Sequence, residues 1–225
     1  FFTSLQRIFM KLIPVIVLLL LINGLQAQKP EKIERRTIIE MPNEYYISQA
    51  KLWKKILEKE PKNADAWYNY YKASRYMHIE KGEDSVFSAS KYERLMAIEK
   101  EVEQQIPNTF ETNIIKWWNG GNNPKLFPYL EKAAQIDPDR VEIYDCFIAH
   151  YELQGDTEKR DIFLKKWYDS GLFSTGYLNY NYNVLMSLKP NAILITNGDN
   201  DSYPVWVLQA IHGIRTDVQL VNYYM

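Results

Sequence analysis

The residues best suited to chemistry in this chain are Asp199, Asn200 and Asp201, in the run Asn197-Gly198-Asp199-Asn200-Asp201-Ser202. Two carboxylates two positions apart, directly after a short apolar run, offer hard oxygen ligands. Such ligands suit magnesium, manganese or calcium and, through the ion, a sugar or phosphate group. Asn200 adds a polar amide to this candidate ligand-binding loop. An Asp-x-Asp is a weak motif, and the same residue types are preferred at turns and helix starts, so a capping role explains them as well.

Trp117 and Trp118 form a second candidate, because they precede Asn119-Gly120-Gly121-Asn122-Asn123. Paired indoles beside a glycine-rich loop could stack on a sugar ring, whereas the competing reading buries Trp118 in a core and uses the glycines to end its helix. Cys146 is the single cysteine and sits among Ile143, Tyr144, Phe147 and Ile148, where a small apolar side chain packs well. His150 lies one turn further on, the one candidate base for a thiol nucleophile. His78, His150 and His212 lack the spacing of a zinc site, and no phosphate loop, nucleophile elbow or His-Glu-x-x-His pair is present. No catalytic residue is assigned, and the only cofactor the residues suggest is a divalent cation at Asp199 and Asp201.

The acidic run needs elements to hold it. Ile193, Leu194 and Ile195, bounded by Pro190 and Gly198, predict a short buried strand. From about Ser202 the residues Tyr203, Val205, Trp206, Val207, Leu208, Ala210 and Ile211 leave only Gln209 clearly polar, which predicts a helix buried on most sides. Ser202 or Asp201 would cap it, Pro204 would lie in its first turn and Gly213 would stop it. Val218 to Asn222 resumes strand character, so strand, helix and strand fit a right-handed parallel crossover. Just upstream, Tyr180 and Tyr182 alternate with Asn179, Asn181 and Asn183. That period of two predicts an extended segment whose rings, with Tyr177, pack the junction.

Residues 44–176 read as paired helices. Ala50, Leu52, Trp53, Ile56 and Leu57 line one face, Pro61 ends that helix, and Ala64, Trp67, Tyr68, Tyr71 and Ala73 begin the next. Lys91 to Trp118 repeats the plan around Pro107, and Leu126 to Leu153 around Pro138, with Phe163 to Trp167 supplying one more helix face. A helix pair cannot bury its apolar stripe alone, so neighbouring pairs must stack, and a stacked array exposes a groove.

The remaining features bound the class. The chain has 225 residues, a net charge of -1 and 46% hydrophobic content, and no basic face that would suit nucleic acid. Met10-Lys11, the apolar run Leu12 to Ile22 and Gly24-Leu25-Gln26-Ala27 resemble a secretory signal peptide that starts at Met10 and is cut after Ala27; an uncleaved membrane anchor is the alternative. Residues 28–43 then read as a charged linker. Gln28 follows the expected cut in place of the cysteine that a lipid anchor requires.

Two resemblances add to this reading. The pattern LWKKILEKEPKNADAWYNYYKA resembles a tetratricopeptide repeat. The prolines lie about 46 and then about 31 residues apart against a family period near 34, so the repeats are divergent, with an insertion after Met77. The run TNGDNDSYPVWVLQAIHGIRTDVQLVN is similar to the soluble part of a bacterial membrane family resembling protein O-mannosyltransferases, and to exported repeat proteins of bacterial envelopes. The residues that carry the second likeness are Gly198, Asp199, Asn200, Asp201, Pro204, Trp206, Gln209, Arg215, Asp217 and Val218. It implies a shared module, and no glycosyltransferase activity is carried over. In that family the second strand continues into further structure, so the sheet is expected to be incomplete and the chain a fragment of a longer one.

The expectation is a mainly α chain: a tetratricopeptide-like helical-repeat array over 44–176, followed by a partial α/β (βαβ) unit over 177–225. The function expected is a non-enzymatic exported protein, in the periplasm or at the outer membrane, that binds an envelope protein or peptide. It does not bind nucleic acid, and it meets a membrane only through that partner or an uncleaved anchor. The alternative is cation-dependent sugar or phosphate binding or transfer through Asp199 and Asp201.

Overall fold

The computed structural model describes residues 29–36, 38–79, 88–121 and 123–225. The expected signal peptide or anchor lies outside the described residues. Residues 33–225 form one compact unit. Among the described residues no helix is long and apolar enough to cross a membrane.

The chain is mainly α, as expected. Its first helices come in pairs: α1 (Asn43–Lys59) with α2 (Ala64–Tyr76), α3 (Ala89–Gln105) with α4 (Phe110–Asn119), and α5 (Phe127–Ile136) with α6 (Tyr144–Leu153). α7 (Thr157–Asp169) and α8 (Thr175–Met186) follow. Pro61, Pro107 and Pro138 each stand directly after the residue that closes the first helix of a pair, where a residue without an N–H ends the helix. The return helices of the first two pairs start on side-chain caps. The Asn63 side chain accepts from the Ala66 amide at 2.9 Å and Thr109 from the Thr112 amide at 3.2 Å. Trp67 Nε1 donates to the Pro61 carbonyl at 2.8 Å, so the first turn is bonded to the helix it launches.

The pairs share cores. Leu57, Trp67 and Tyr71 pack with Leu95, Val102 and Ile115, joining the first pair to the second. Phe110, Ile114 and Trp117 pack with Leu130, Tyr144 and Phe147, joining the second to the third. The apolar stripe of each pair is buried by its neighbour, which is the physical reason a stack of such pairs is stable.

The chain ends in the expected crossover. β1 (Ile193–Thr196), α9 (Asp199–Ala210) and β2 (Gln219–Asn222) form a strand-helix-strand unit, and the strands pair in parallel with Ile193 opposite Gln219 and Thr196 opposite Asn222. Tyr203, Trp206 and Val207 of α9 pack on Ile148 and Leu164, while Val205 and Leu208 pack with Leu185 and Val218. The repeat stack and the crossover unit are therefore joined by one helix that is buried on both sides.

Three expectations are corrected. Tyr180 and Tyr182 lie on α8, not on an extended segment, and both are exposed; the helical face that packs carries Leu178, Asn181 and Leu185, a spacing of three and four that the alternating tyrosines concealed. β1 is not buried, because Ile193 is 63% and Ile195 68% exposed while Thr196 faces inward. The expected linker is not free chain throughout, since Ile33 is fully buried against Tyr46, Ala50, Ala73 and Met77.

Candidate functional site

The acidic run is not a loop. Gly198 closes the turn after β1 with φ 124° and ψ −165°, a conformation reserved for glycine, and α9 begins at the next residue. Asp199 and Asp201 thus occupy its first turn, where negative charge is favourable near the free amides. Ser202, expected as a cap, is instead buried within the helix, where its hydroxyl donates to the Gly198 carbonyl at 2.7 Å and meets Thr196 Oγ1 at 2.7 Å. Pro204 sits in the second turn rather than the first. It has no N–H to give the carbonyl four residues back, that of Asn200, and the Tyr177 hydroxyl donates to that carbonyl in its place.

Helix geometry separates the two carboxylates. Residues two apart on a helix do not face each other, and Asp199 and Asp201 stand two positions apart in the first turn of α9. Among the described residues no group of three His, Cys, Asp or Glu side chains could hold a metal ion. Asn200 is consumed through its carbonyl, and its side chain stands at the rim of a cavity that Asp199 also lines.

That cavity was not legible as a motif. It has a volume of about 430 Å³ and is lined by Trp167, Phe173, Tyr177, Arg35, Asp145 and Asp199. A second cavity of about 420 Å³ adjoins it and shares Arg35, Asp145, Asp199 and Tyr203. Its further walls are Tyr68, Lys72 and Tyr76 of α2, Trp117 and Trp118 of α4, and Cys146 of α6. The two make one groove along the return helices of the pairs, and Asp199 and Tyr203 of α9 border both of them.

The Arg35–Asp145 ion pair stands where the two cavities meet. The Arg35 guanidinium carbon also lies 5.9 Å from the Trp167 ring centre. Asp145 raises the pKa of Arg35 against the opposing effect of burial. Asp145 engages Arg35 through Oδ2 alone; Oδ1 is buried with no hydrogen-bond partner, and so is Trp167 Nε1. Asp199 is reached by solvent at the rim, yet its pKa is raised by the surrounding protein first and by the charge of Asp145 second, with Arg35 and a hydrogen bond from Tyr203 opposing. Tyr177 is pushed up to about 12 by burial and by the charges of Asp201 and Asp199.

Ile33, two residues before Arg35, is held by its main chain. Its amide donates to Asn69 Oδ1 at 2.8 Å, and its carbonyl accepts from Lys72 Nζ. Asn69 and Lys72 lie on α2 in the aromatic run Trp67-Tyr68-Asn69-Tyr70-Tyr71-Lys72. Both are buried on that helix.

The indoles are core members more than a platform. Trp117 is 1% exposed and meets Phe127 and His150 edge-on, and Trp118 lies between Tyr68 and Tyr71 at centroid distances of 5.8 and 6.1 Å. Their rings are engaged by protein, although both border the groove. Cys146 is buried, and burial pushes its thiol pKa up, the opposite of what a nucleophile needs. His150 stacks on Phe127 at 3.7 Å with its pKa lowered by burial.

The signature residues of the crossover unit mostly hold backbone. Arg215 donates to the carbonyls of Leu185, Leu188 and Lys189 at the end of α8 and pairs with Asp217, which accepts from the Asn191 amide at 2.9 Å. Gln209 donates to the carbonyls of Arg215 and Val218 at 2.9 and 2.7 Å. Asp199 is the signature residue whose carboxylate is turned to a cavity.

Fold and groove together define a stack of helix pairs with a terminal crossover unit. Over that unit and most of α8, residues 177–225, the chain matches a family model described as TMEM260-associated domain 2. No curated protein matches the chain.

Proposed function

We propose that this is a non-enzymatic, exported helical-repeat protein of the bacterial envelope that holds an extended segment of a partner protein in the groove along α2, α4 and α6. The observation that carries the reading is how the groove treats main chain. Asn69 and Lys72 take the amide and carbonyl of one residue that belongs to neither helix nor strand, which is how a surface reads a peptide independently of its sequence. The resemblance to tetratricopeptide repeats supports the same use, and the run from Met10 to Ala27 supports export.

Selection of peptides from a displayed random library on the full chain tests it. Selected peptides are expected to lose about tenfold or more in affinity, near 1.4 kcal/mol, on the double variant Lys72→Glu with Asp145→Lys. Circular dichroism must show that this variant is folded. Failure of the library to yield any peptide that depends on these two residues would end the reading.

A second reading follows from Asp199 lying close enough to Asp145 for the two charges to interact. With Arg35 withdrawn, that pair could take a divalent cation and, through it, a sugar or phosphate group. Titration calorimetry of magnesium and calcium into Arg35→Ala decides it: heat that disappears in Asp199→Asn supports the cation, and no heat removes it.

A further inference from the structure

The groove is bordered by the chain's own Arg35, and the residue two positions before it is held by its main chain against α2. From Lys32 to Arg36 burial alternates residue by residue: Lys32, Glu34 and Arg36 are exposed, Ile33 is fully buried and Arg35 is partly buried. A period of two in a stretch outside any helix or strand is the mark of an extended segment read on one side. The buried side delivers two different groups to two different places. Ile33 enters an apolar pocket formed by Tyr46, Ala50, Ala73 and Met77, and Arg35 reaches across to Asp145 on α6, 110 residues away in sequence. Between them Asn69 and Lys72 hold the main chain.

The fit at Arg35 is incomplete. A guanidinium can pair with both oxygens of a carboxylate, yet Asp145 Oδ1 is buried without a hydrogen-bond partner, and so is Trp167 Nε1. Open volume remains on both sides of the ion pair.

We propose that residues 33–35 are an internal occupant of a peptide site, and that the partner's segment is extended and carries an aliphatic residue two positions before an arginine. The arginine would pair with both oxygens of Asp145 and lie over Trp167, and the partner would displace residues 33–35 on binding. This rests on the groove being a peptide site, and it adds which peptide the site selects and that the chain covers the site until a partner arrives.

The probe is the labelled peptide Lys29-Pro30-Glu31-Lys32-Ile33-Glu34-Arg35-Arg36, followed by fluorescence anisotropy against the full chain and its Arg35→Ala variant. Removing the internal arginine weakens the internal occupant, so Arg35→Ala is expected to bind the peptide at least about tenfold more tightly than the unsubstituted chain. Peptides carrying Ile33→Asp or Arg35→Glu are expected to lose that gain, as is the protein double variant Arg35→Ala with Asp145→Asn. Equal affinity of the two proteins for the peptide, or equal affinity of the three peptides, overturns the proposal. Library peptides that bind through Lys72 and Asp145 but lack the aliphatic-x-Arg pattern would leave the groove reading standing and overturn this one. Arg35→Gln serves if Arg35→Ala does not fold, and failure of both to fold also contradicts the proposal, because a displaceable segment is not required for folding.

Discussion

The terminal crossover unit and the repeat stack spend their polar residues differently. In the crossover unit Arg215, Asp217, Gln209, Thr196 and Ser202 all bond to neighbours within that unit or at the end of α8, and what they hold is backbone. In the repeat stack Asn69, Lys72 and Asp145 reach a stretch of chain that has no regular structure of its own, across 36, 39 and 110 residues of sequence. Polar groups of the first kind hold the module that the family model matches, and those of the second kind line the surface proposed to bind. The most recognisable stretch of this chain is therefore mainly architecture, and the proposed binding surface lies where no motif was visible.

Four substitutions sharpen or break that contrast. The largest effect is expected from Trp206→Ala, which empties the helix face joining stack to crossover; unfolding in denaturant should show a loss of about 3–5 kcal/mol. A loss below about 1 kcal/mol would mean that the two regions are not packed as one body. Gln209→Ala strips two carbonyls of their donor and is expected to cost about 1–3 kcal/mol by the same measurement while leaving peptide binding unchanged.

Asn69→Ala should behave in the opposite way, with a small loss of global stability, about 1 kcal/mol, and a large local effect. Limited trypsin digestion is expected to cut after Lys32 and Arg35 much faster than in the unsubstituted chain. Unchanged cleavage would show that Asn69 does not hold the segment.

Asp199 gives the smallest effect and a pH signature. Its pKa is raised in the fold, so the carboxylate is penalised above its folded pKa, and that penalty is relieved as pH falls through the folded value toward the ordinary one near about 3.9. Asp199→Asn should therefore be slightly more stable than the parent at neutral pH, and the difference should vanish in acid. Capture of an arginine peptide should weaken as pH falls through the same range, because protonation removes negative charge beside Asp145. A thermal-melt series against pH checks the first statement and anisotropy the second. Magnesium or calcium added to the unsubstituted chain is expected to leave the melting temperature unchanged, since Arg35 already neutralises Asp145.

The architecture was largely legible in the sequence. Pro61, Pro107 and Pro138 with their flanking apolar faces located three helix pairs, and strand, helix and strand followed from Ile193, Trp206 and Val218. What failed did so for physical reasons. Asn-Tyr alternation in 179–183 imitates a strand, because two exposed tyrosines happen to flank a buried asparagine on α8. Gly198 in a conformation open only to glycine lets α9 start three residues earlier than the apolar pattern shows, turning a loop into a first turn. The groove residues were illegible because each looks ordinary alone: Arg35 in a charged run, Asp145 at a helix start, Lys72 among tyrosines. Only the fold brings them together.

Hydrogen exchange at a single amide tests the central claim most directly. The Ile33 amide is bonded to Asn69 Oδ1, so in the unliganded full chain it should exchange slowly for a residue outside any helix or strand. Saturating the chain with an aliphatic-x-Arg peptide should raise the exchange rate at Ile33 to that of free chain while amides in α2 and α4 stay protected. An Ile33 amide that remains protected with the peptide bound would contradict the account, because the groove would then have accepted a partner without giving up its own segment.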